Sequence, residues 1–502
     1  MRVLLVVPPV PERTYPGRSM GVEYVAAAID RVGHHVTVFD ADVHGLQRLT
    51  DTVRRDQPQI VGITNMSFQA DDANALAQMV RDLLPQCLIV KGGVHETAGG
   101  FEYSLGCHAA YVDVCVLGEG EDAFRTLVDR WADKRRAADW RDTPGLAYQD
   151  HGHVHVNETC EGGIDPNEVI PLRRNHHCSY DFPVFENRKT AQMMTARGCA
   201  ERCFFCYDSH GSRAVRRRHE DSLRAELEIL RRDGYEAVYF DDPTFTDDRE
   251  HVSLLCRLMR EHRLVWGCNT RVDRVTREMT LEMRASGCVY VFCGVESLVP
   301  GVLLGLNKTR DPVGYIAAAQ RAYRWLADAA IPRSVFLIFG GPKEVRSNGC
   351  VEYTVEQWDD IEQTLRDALA LDPDYLSMNI LRLLPDLPVS YGARFAYLRP
   401  EGAEIHAGYY DKTWLKTTGR PDYRSHHEIY SAFEGRGSVN PAHMTIEQCY
   451  RILARAVELA NDYFRRAGKV IHLVVGDAFE KKYLGRPRGQ YKLAPLSEMM
   501  EL

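Results

Sequence analysis

The chain has 502 residues, 45% of them hydrophobic, enough for about three domains of ~150 residues each, so burial of a core is not limiting. Its 62 Lys and Arg against 70 Asp and Glu give a net charge of −8 with no long basic tract, which argues against a nucleic-acid substrate. The opening apolar run MRVLLVV is far shorter than the ~20 residues that span a bilayer and has no basic flank, so no membrane partner is expected; with 14 cysteines the reading is a cytoplasmic protein with reduced thiols.

Residues 1–133 alternate short β-rich runs, near 3–7, 36–39, 60–64, 88–90 and 114–117, with amphipathic stretches such as 24–31 and 73–84. Strict alternation predicts a doubly wound, Rossmann-like α/β domain whose ligands sit beyond the strand C-termini. Residues 134–189 are charged, His-rich and irregular, with GLAYQDHGHVHVN suggesting a small hairpin, and read as a connection. A second series within 190–390 has runs near 192–195, 237–240, 265–269, 289–293, 334–338 and 375–380 separated by helical stretches. Six βα units predict a partial (β/α)6 barrel, again with chemistry at the strand C-termini. Residues 391–502 read as a mainly helical, substrate-proximal region. There Thr445 and Gln448 form a capping box, Ile446, Cys449, Leu453, Val457, Ala460 and Phe464 share one apolar face, and Gly468 closes the helix.

Directly after the first run of the second series comes ARGCAERCFFCY, with Cys199, Cys203 and Cys206 spaced C-x3-C-x2-C. Three thiolates on one loop cover three corners of an iron–sulfur cubane and leave one iron open. The alternative is a structural zinc site with His210 as fourth ligand. The loop's position, at the C-terminal end of a barrel strand where substrate chemistry occurs, argues against zinc.

These features together resemble the radical S-adenosylmethionine (SAM) enzymes over residues 190–385, and their cobalamin-binding branch over residues 1–385. Phe205 matches the aromatic position that packs on the SAM adenine. VYFDDPTFT resembles the second-strand signature and puts Asp242 at its acidic position, although Pro243 replaces a frequent second acid. WGCNTRVD is similar to the third-strand segment, with Arg271 in place; Gly294, Val295, Glu296 and Ser297 match the fourth-strand GxES; FLIFGGPKE, with Gly340 and Gly341, resembles the fifth-strand glycine motif. Each residue also has a local reading: Asp242 as a turn cap, Arg271 as an ion pair, the glycines as backbone devices. Cys268, Cys288 and Cys293 read as small core residues.

In the first domain, VGITNMSF, KGGVHET and LGEGEDAF end the third, fourth and fifth strands. Residues such as Gly92 and Gly93 let backbone approach a large planar ligand, and Thr64, Asn65 and Ser67 supply hydrogen bonds. A G-x-G-x-x-G dinucleotide fingerprint is absent. The resemblance implies that these loops hold cobalamin through Thr64, Asn65, Met66, Ser67, Gly92, Gly93, His95, Gly118, Glu119 and Gly120. The family's D-x-H-x-x-G cobalt-ligand signature is missing; Asp42, Val43, His44 and Gly45 are a near miss after the second strand, and His44 reads as an ordinary loop residue. The cobalt is then expected without a protein imidazole, its lower face covered by residues 65–68.

The resemblance implies three cofactors, a [4Fe-4S] cluster, SAM and cobalamin, and C-methylation of an unactivated carbon in a small metabolite or natural-product intermediate. SAM would serve both as methyl donor and as radical source, with flavodoxin or ferredoxin as electron donor. Relatives also catalyse ring contraction, oxidation or cyclisation, so a non-methylating outcome stays open. A further alternative makes the first domain a binding module only. Tyr409, Tyr410, Trp414, Tyr423, His426 and His427 are candidates for substrate recognition, or for packing.

Overall fold

A computed structural model describes residues 1–9, 20–66, 69–132, 140–158, 164–171, 185, 188–209 and 213–381, together with 459, 466 and 473–474. The expected helix at 445–467, the aromatic residues of 406–427, His210 and Ser67 lie outside these described residues.

The first sheet contains β1 (Arg2–Val7), β2 (His35–Asp40), β3 (Ile60–Thr64), β4 (Leu88–Gly92), β5 (Val114–Val116), β6 (Leu146–Asp150) and β7 (His153–Val156), in the order β2-β1-β3-β4-β5-β6-β7. The first five strands are parallel. Both faces are covered: Leu4 and Val6 enter one core while Val3 and Leu5 enter the other. That is why the strand reads as an unbroken apolar run, not as an alternation. The expected hairpin forms, yet it is the antiparallel edge of this sheet and not part of a connection. The reason is burial: Leu146 and Tyr148 join Trp140 in the core beneath β5, and Gly145, at φ 73°, turns the chain so that its carbonyl accepts the Leu117 N–H at 2.7 Å.

The second sheet starts at β8 (Thr190–Met193). Beyond it the two-residue strands β9 (Ala196–Arg197) and β10 (Arg216–Arg217) pair antiparallel. The series continues through β11 (Ala237–Phe240), β12 (Val265–Arg271), β13 (Cys288–Glu296) and β14 (Arg333–Phe339), then a hairpin of β15 (Pro342–Ser347) and β16 (Cys350–Val355), then β17 (Tyr375–Ile380) and β18 (Leu473–Val474). The sheet order is β18-β17-β14-β13-β12-β11-β8, parallel throughout. All six expected strands are present, β18 adds a seventh, and β8 and β18 remain edges, so the sheet is an open partial barrel.

Val238, Phe240, Trp266 and Cys268 pack outward against helices such as Glu220–Arg232 and Arg249–His262, with Cys288 and Cys293 fully buried in the same core. Helix starts carry their own caps: Asp248 accepts from the His251 N–H at 2.8 Å, and Asp311 precedes Pro312 at the first helical position. The β15–β16 hairpin was not expected from the sequence, although Asn348 and Gly349 at its tip, both at positive φ, are the residues its tight turn requires. Among the described residues no helix is long and apolar enough to cross a membrane.

Candidate cofactor sites

The cysteine loop begins at the end of β9, in the two-stranded ribbon just beyond β8. Its anchor is Phe204, fully buried among Val302, Leu306, Ile338 and Leu381, with its N–H donating to the Leu306 carbonyl at 3.3 Å. Phe205, next in sequence, stays half-buried at the rim of that cluster. Alternate burial of two adjacent aromatics secures the loop with one ring and leaves the other accessible. Cys203 is buried, Cys199 and Cys206 are half-buried, and the Cys206 N–H turns back to the Cys203 carbonyl at 3.1 Å. No three His, Cys, Asp or Glu side chains among the described residues form a ready-closed metal cage. The donor chemistry nonetheless suits a thiolate-bound cluster, because Arg271 Nη1 donates to Cys203 Sγ at 3.3 Å.

Arg271, at the C-terminal end of β12, also pairs with Asp273 at 3.0 Å and donates to the Lys308 carbonyl at 2.9 Å. Lys308 Nζ lies 3.0 Å from Glu296 Oε1, and both side chains are about 95% buried. Glu296 sits at φ 68°, and burial raises its carboxyl pKa against the opposing pull of Lys308. Its Oε2 has no hydrogen-bond partner among the described residues. A Cβ on Gly294 would lie 2.6 Å from Glu296 Oε1, so the first glycine of the GxES segment makes room for the acid two residues on. Tyr315 closes the group by donating to the Gly294 carbonyl at 2.9 Å.

Four expected SAM residues serve the chain itself. Asp242 accepts the Thr195 N–H at 2.6 Å, the Ala196 N–H at 3.1 Å and the Thr195 hydroxyl at 2.5 Å, so it fixes the strand entering the cysteine loop. Burial pushes its pKa up to about 6 against those hydrogen bonds. Ser297 is fully buried, hydrogen-bonded to Thr364 at 3.0 Å and to the Val299 N–H at 3.2 Å. Gly341 allows close approach, since its Cβ would meet Leu306 Cδ2 at 2.9 Å. Gly340 donates to Glu356 Oε2 at 2.6 Å. Burial pushes the Glu356 carboxyl up to about 8 despite hydrogen bonds from Gly340 and Gly341, and its Oε1 has no hydrogen-bond partner among the described residues. Glu356 was missed because the β15–β16 hairpin separates it from the glycines in sequence.

In the first sheet the loops after β3, β4 and β5 converge as expected. The His95 N–H donates to the Asn65 carbonyl at 3.1 Å, and the Gly118 N–H donates to Thr97 Oγ1 at 2.9 Å, while Thr97 donates to the Gly93 carbonyl at 2.9 Å. Thr64 and Met66 are half-buried there. Beneath them lies a buried polar network: Lys91 pairs with Glu96 at 2.9 Å and donates to Asn74 and Ser104, each at 2.7 Å, and Asn65 Nδ2 donates to Glu96 at 2.8 Å. Although burial opposes it, the Lys91 ammonium and the hydrogen bonds from Lys91 and Asn65 hold the Glu96 carboxyl down at about 2. His95 is 1% exposed and burial lowers its pKa to about 4, so it is neutral. Gly93 is needed by the protein first of all: at φ +102° its Cβ would lie 2.8 Å from the Asn65 carbonyl oxygen. A Cβ on Gly92 would make only ordinary contact with Val116, and one on Gly120 would lie 3.3 Å from Val116 Cγ1. His44 ends the short helix Ala41–His44, its ring edge-on to Phe39 at 5.4 Å.

Glu119 faces the β9–β10 ribbon of the second half of the chain. It pairs with Arg197 at 3.0 Å and with Arg216, and Glu121 pairs with Arg197 at 2.5 Å. The loop after β5 is thus joined to the base of the cysteine loop.

The B12 binding domain family matches residues 10–128, and the radical SAM superfamily matches residues 193–348. The chain is a B12-binding radical SAM enzyme. An uncharacterized methyltransferase of Pyrococcus horikoshii is 28% identical over 401 residues, covering 77% of this chain and 81% of its own. The anaerobic magnesium-protoporphyrin IX monomethyl ester cyclase of Cereibacter sphaeroides is 26% identical over 385 residues, covering 73% of this chain and 59% of its own. Among solved structures, the radical SAM methyltransferase TsrM from Kitasatospora setae, with cobalamin and a [4Fe-4S] cluster bound, aligns at a TM-score of 0.68 and 18% identity over 91% of this chain and 90% of that one. The likeness to TsrM is one of fold. In this radical SAM enzyme the side chains that cysteine spacing and strand-end motifs did not single out include Lys308, Tyr315, Arg216 and Glu356.

Proposed function

We propose that the enzyme is a cobalamin-dependent C-methyltransferase acting on an unactivated carbon of a small metabolite or natural-product intermediate. The observation that carries this reading is the direct link between the strand-end loops of a B12 binding domain and the cysteine loop of a radical SAM domain, through Glu119, Glu121 and Arg197. When bound, the [4Fe-4S] cluster, SAM and cobalamin supply reductive radical generation and a transferable methyl group. Cys199, Cys203 and Cys206 hold the cluster, and Arg271 favours the thiolate form of Cys203 through its hydrogen bond to the sulfur. Phe205 offers a ring face for the adenine of SAM. Glu296, with Lys308 on one carboxylate oxygen and the other without a partner among the described residues, is suited to accept a hydrogen bond from a SAM polar group. Gly340 and Gly341 bring backbone close to the adenosine, while Asp242 and Ser297 set the strand ends around it. Thr64, Asn65, Met66, Gly93, His95 and Gly118 surround the corrinoid. In this reading residues 1–133 with the β6–β7 hairpin form the cobalamin unit, 190–390 the radical SAM unit, and 391–502 a substrate-proximal region. The electron donor is a flavodoxin or ferredoxin, and the enzyme works in the cytoplasm.

The likeness to a cyclase keeps a non-methylating outcome as the second reading. Anaerobic assays with candidate substrates and SAM deuterated at its methyl group, read by mass spectrometry, test the proposal. Product carrying the labelled methyl supports it; turnover to an unmethylated product moves the assignment to the second reading. Normal turnover by protein free of cobalt makes the first domain a binding module.

A further inference from the structure

The strands β9 and β10 close the cysteine loop at its base, with Arg197 and Arg216 directly opposite each other in the antiparallel register. Two like charges in facing positions destabilise such a pair. A ribbon with two residues per strand has little other hydrogen bonding to offset this repulsion. The carboxylates that neutralise it come from the other sheet: Glu119 pairs with both guanidinium groups, and Glu121 adds a second carboxylate on Arg197. The neighbouring arginines are served within the radical SAM domain, Arg217 by Asp247 and Arg218 by Glu226. The Arg197–Glu121 pair is buried, with side chains 9% and 4% exposed, and the Arg197 guanidinium lies over the Tyr24 ring at 4.5 Å. Buried charges of this kind hold their geometry tightly, because separating them leaves each one desolvated and unpaired.

We propose that Arg197 and Arg216 are positioning residues through which Glu119, in the loop after β5, and Glu121, in the first turn of the helix Gly120–Ala132 that follows it, close the base of the cysteine loop, so that cobalamin binding on the first domain and SAM binding on the second are coupled. The proposal rests on the cofactor assignment above. The Gly118 N–H, held by Thr97 on the loop after β4, and the Glu119 carboxylate are consecutive on one short loop, so an occupant that orders this loop also orders the β9–β10 ribbon. Coupling is reciprocal: SAM binding then raises cobalamin affinity by the same factor.

The test uses the full chain with its cluster reconstituted. SAM affinity is measured by equilibrium binding with and without hydroxocobalamin, and amide exchange over residues 196–217 is measured without either ligand. In the wild type, hydroxocobalamin is expected to tighten SAM binding by roughly 5- to 150-fold, the usual range of such coupling. Glu121→Gln and Arg197→Lys should bring that ratio toward one and speed exchange in the ribbon at least tenfold, with SAM affinity in the absence of cobalamin much less affected. The charge exchange Glu121→Arg with Arg197→Glu should restore part of the coupling, which a general loss of stability would not allow. A ratio and exchange pattern unchanged in both single variants overturn the proposal. If the wild type binds no cobalamin, the cofactor assignment fails; faster ribbon exchange in the variants still supports the closure of the loop by the acidic residues, and unchanged exchange overturns that as well.

Discussion

Arg271 Nη1 donates to Cys203 Sγ at 3.3 Å, placing a buried guanidinium at the edge of the cysteine loop. A cation there stabilises the more negative, reduced state of a thiolate-bound cluster. Arg271→Met is expected to shift the cluster potential downward by tens of millivolts, since ~1.4 kcal/mol corresponds to about 59 mV for a one-electron couple. Redox titration followed by electron paramagnetic resonance measures the shift, and Arg271→Lys should retain most of the wild-type value. Replacing Cys199, Cys203 and Cys206 together by Ala should abolish iron binding. Stoichiometric zinc in the wild type would remove the basis of this prediction.

Glu356 makes the stability of the fold sensitive to alkali. Its carboxyl pKa is raised from 4.5 to about 8 by burial, so between these values the unfolded chain binds fewer protons than the folded one. Its contribution to stability is present below pH 4.5 and is lost as pH rises through 8. Glu356→Gln, which keeps an oxygen for the Gly340 N–H, should match the wild type near pH 5 and exceed it at pH 9, by on the order of a few kcal/mol. Thermal unfolding at the two pH values checks this, and an equal difference at both would count against it.

Gly92 and Gly93 are adjacent in sequence, but their substitutions should behave differently. A Cβ on Gly93 meets the Asn65 backbone at 2.8 Å and strains a φ of +102°, whereas one on Gly92 makes only ordinary contact with Val116. Gly93→Ala is expected to cost about 1–3 kcal/mol and to displace the loop after β3. Cobalamin retained after gel filtration, read by visible absorbance, should fall for Gly93→Ala and stay near wild type for Gly92→Ala.

Lys91 and Glu96 are each at most 1% exposed and bonded to one another at 2.9 Å. Removing one charge strands the other, so Lys91→Met should lower stability by about 3–5 kcal/mol. The double change Lys91→Met with Glu96→Gln should recover part of that loss. Urea denaturation of the three proteins is the measurement, and equal stability of the single and double variants would show that the pair is not coupled.

The amino-acid sequence by itself determined the two βα series and the triple-cysteine loop, because these are local. A short run rich in β-branched residues and bounded by turn residues favours a strand on local grounds, and C-x3-C-x2-C brings three thiols onto one loop before any tertiary contact forms. The register of the motifs on strand ends was also readable, which is why the loops after β3, β4 and β5 meet as expected. Only the tertiary structure decided what the polar residues at those ends face. Asp242 turns back to Thr195 and Ala196, Ser297 to Thr364, and Glu119 across to Arg197 and Arg216, partners 46 to 97 positions away in the chain. The same limit concealed Glu356, brought to Gly340 only when the hairpin between them folds, and it made the 146–156 hairpin an edge of the first sheet. A side chain's chemistry is written in the sequence, but its partner is chosen by burial. A desolvated charge or hydrogen-bonding group must be satisfied by whatever the fold brings within about 3 Å, and that choice depends on how distant segments pack.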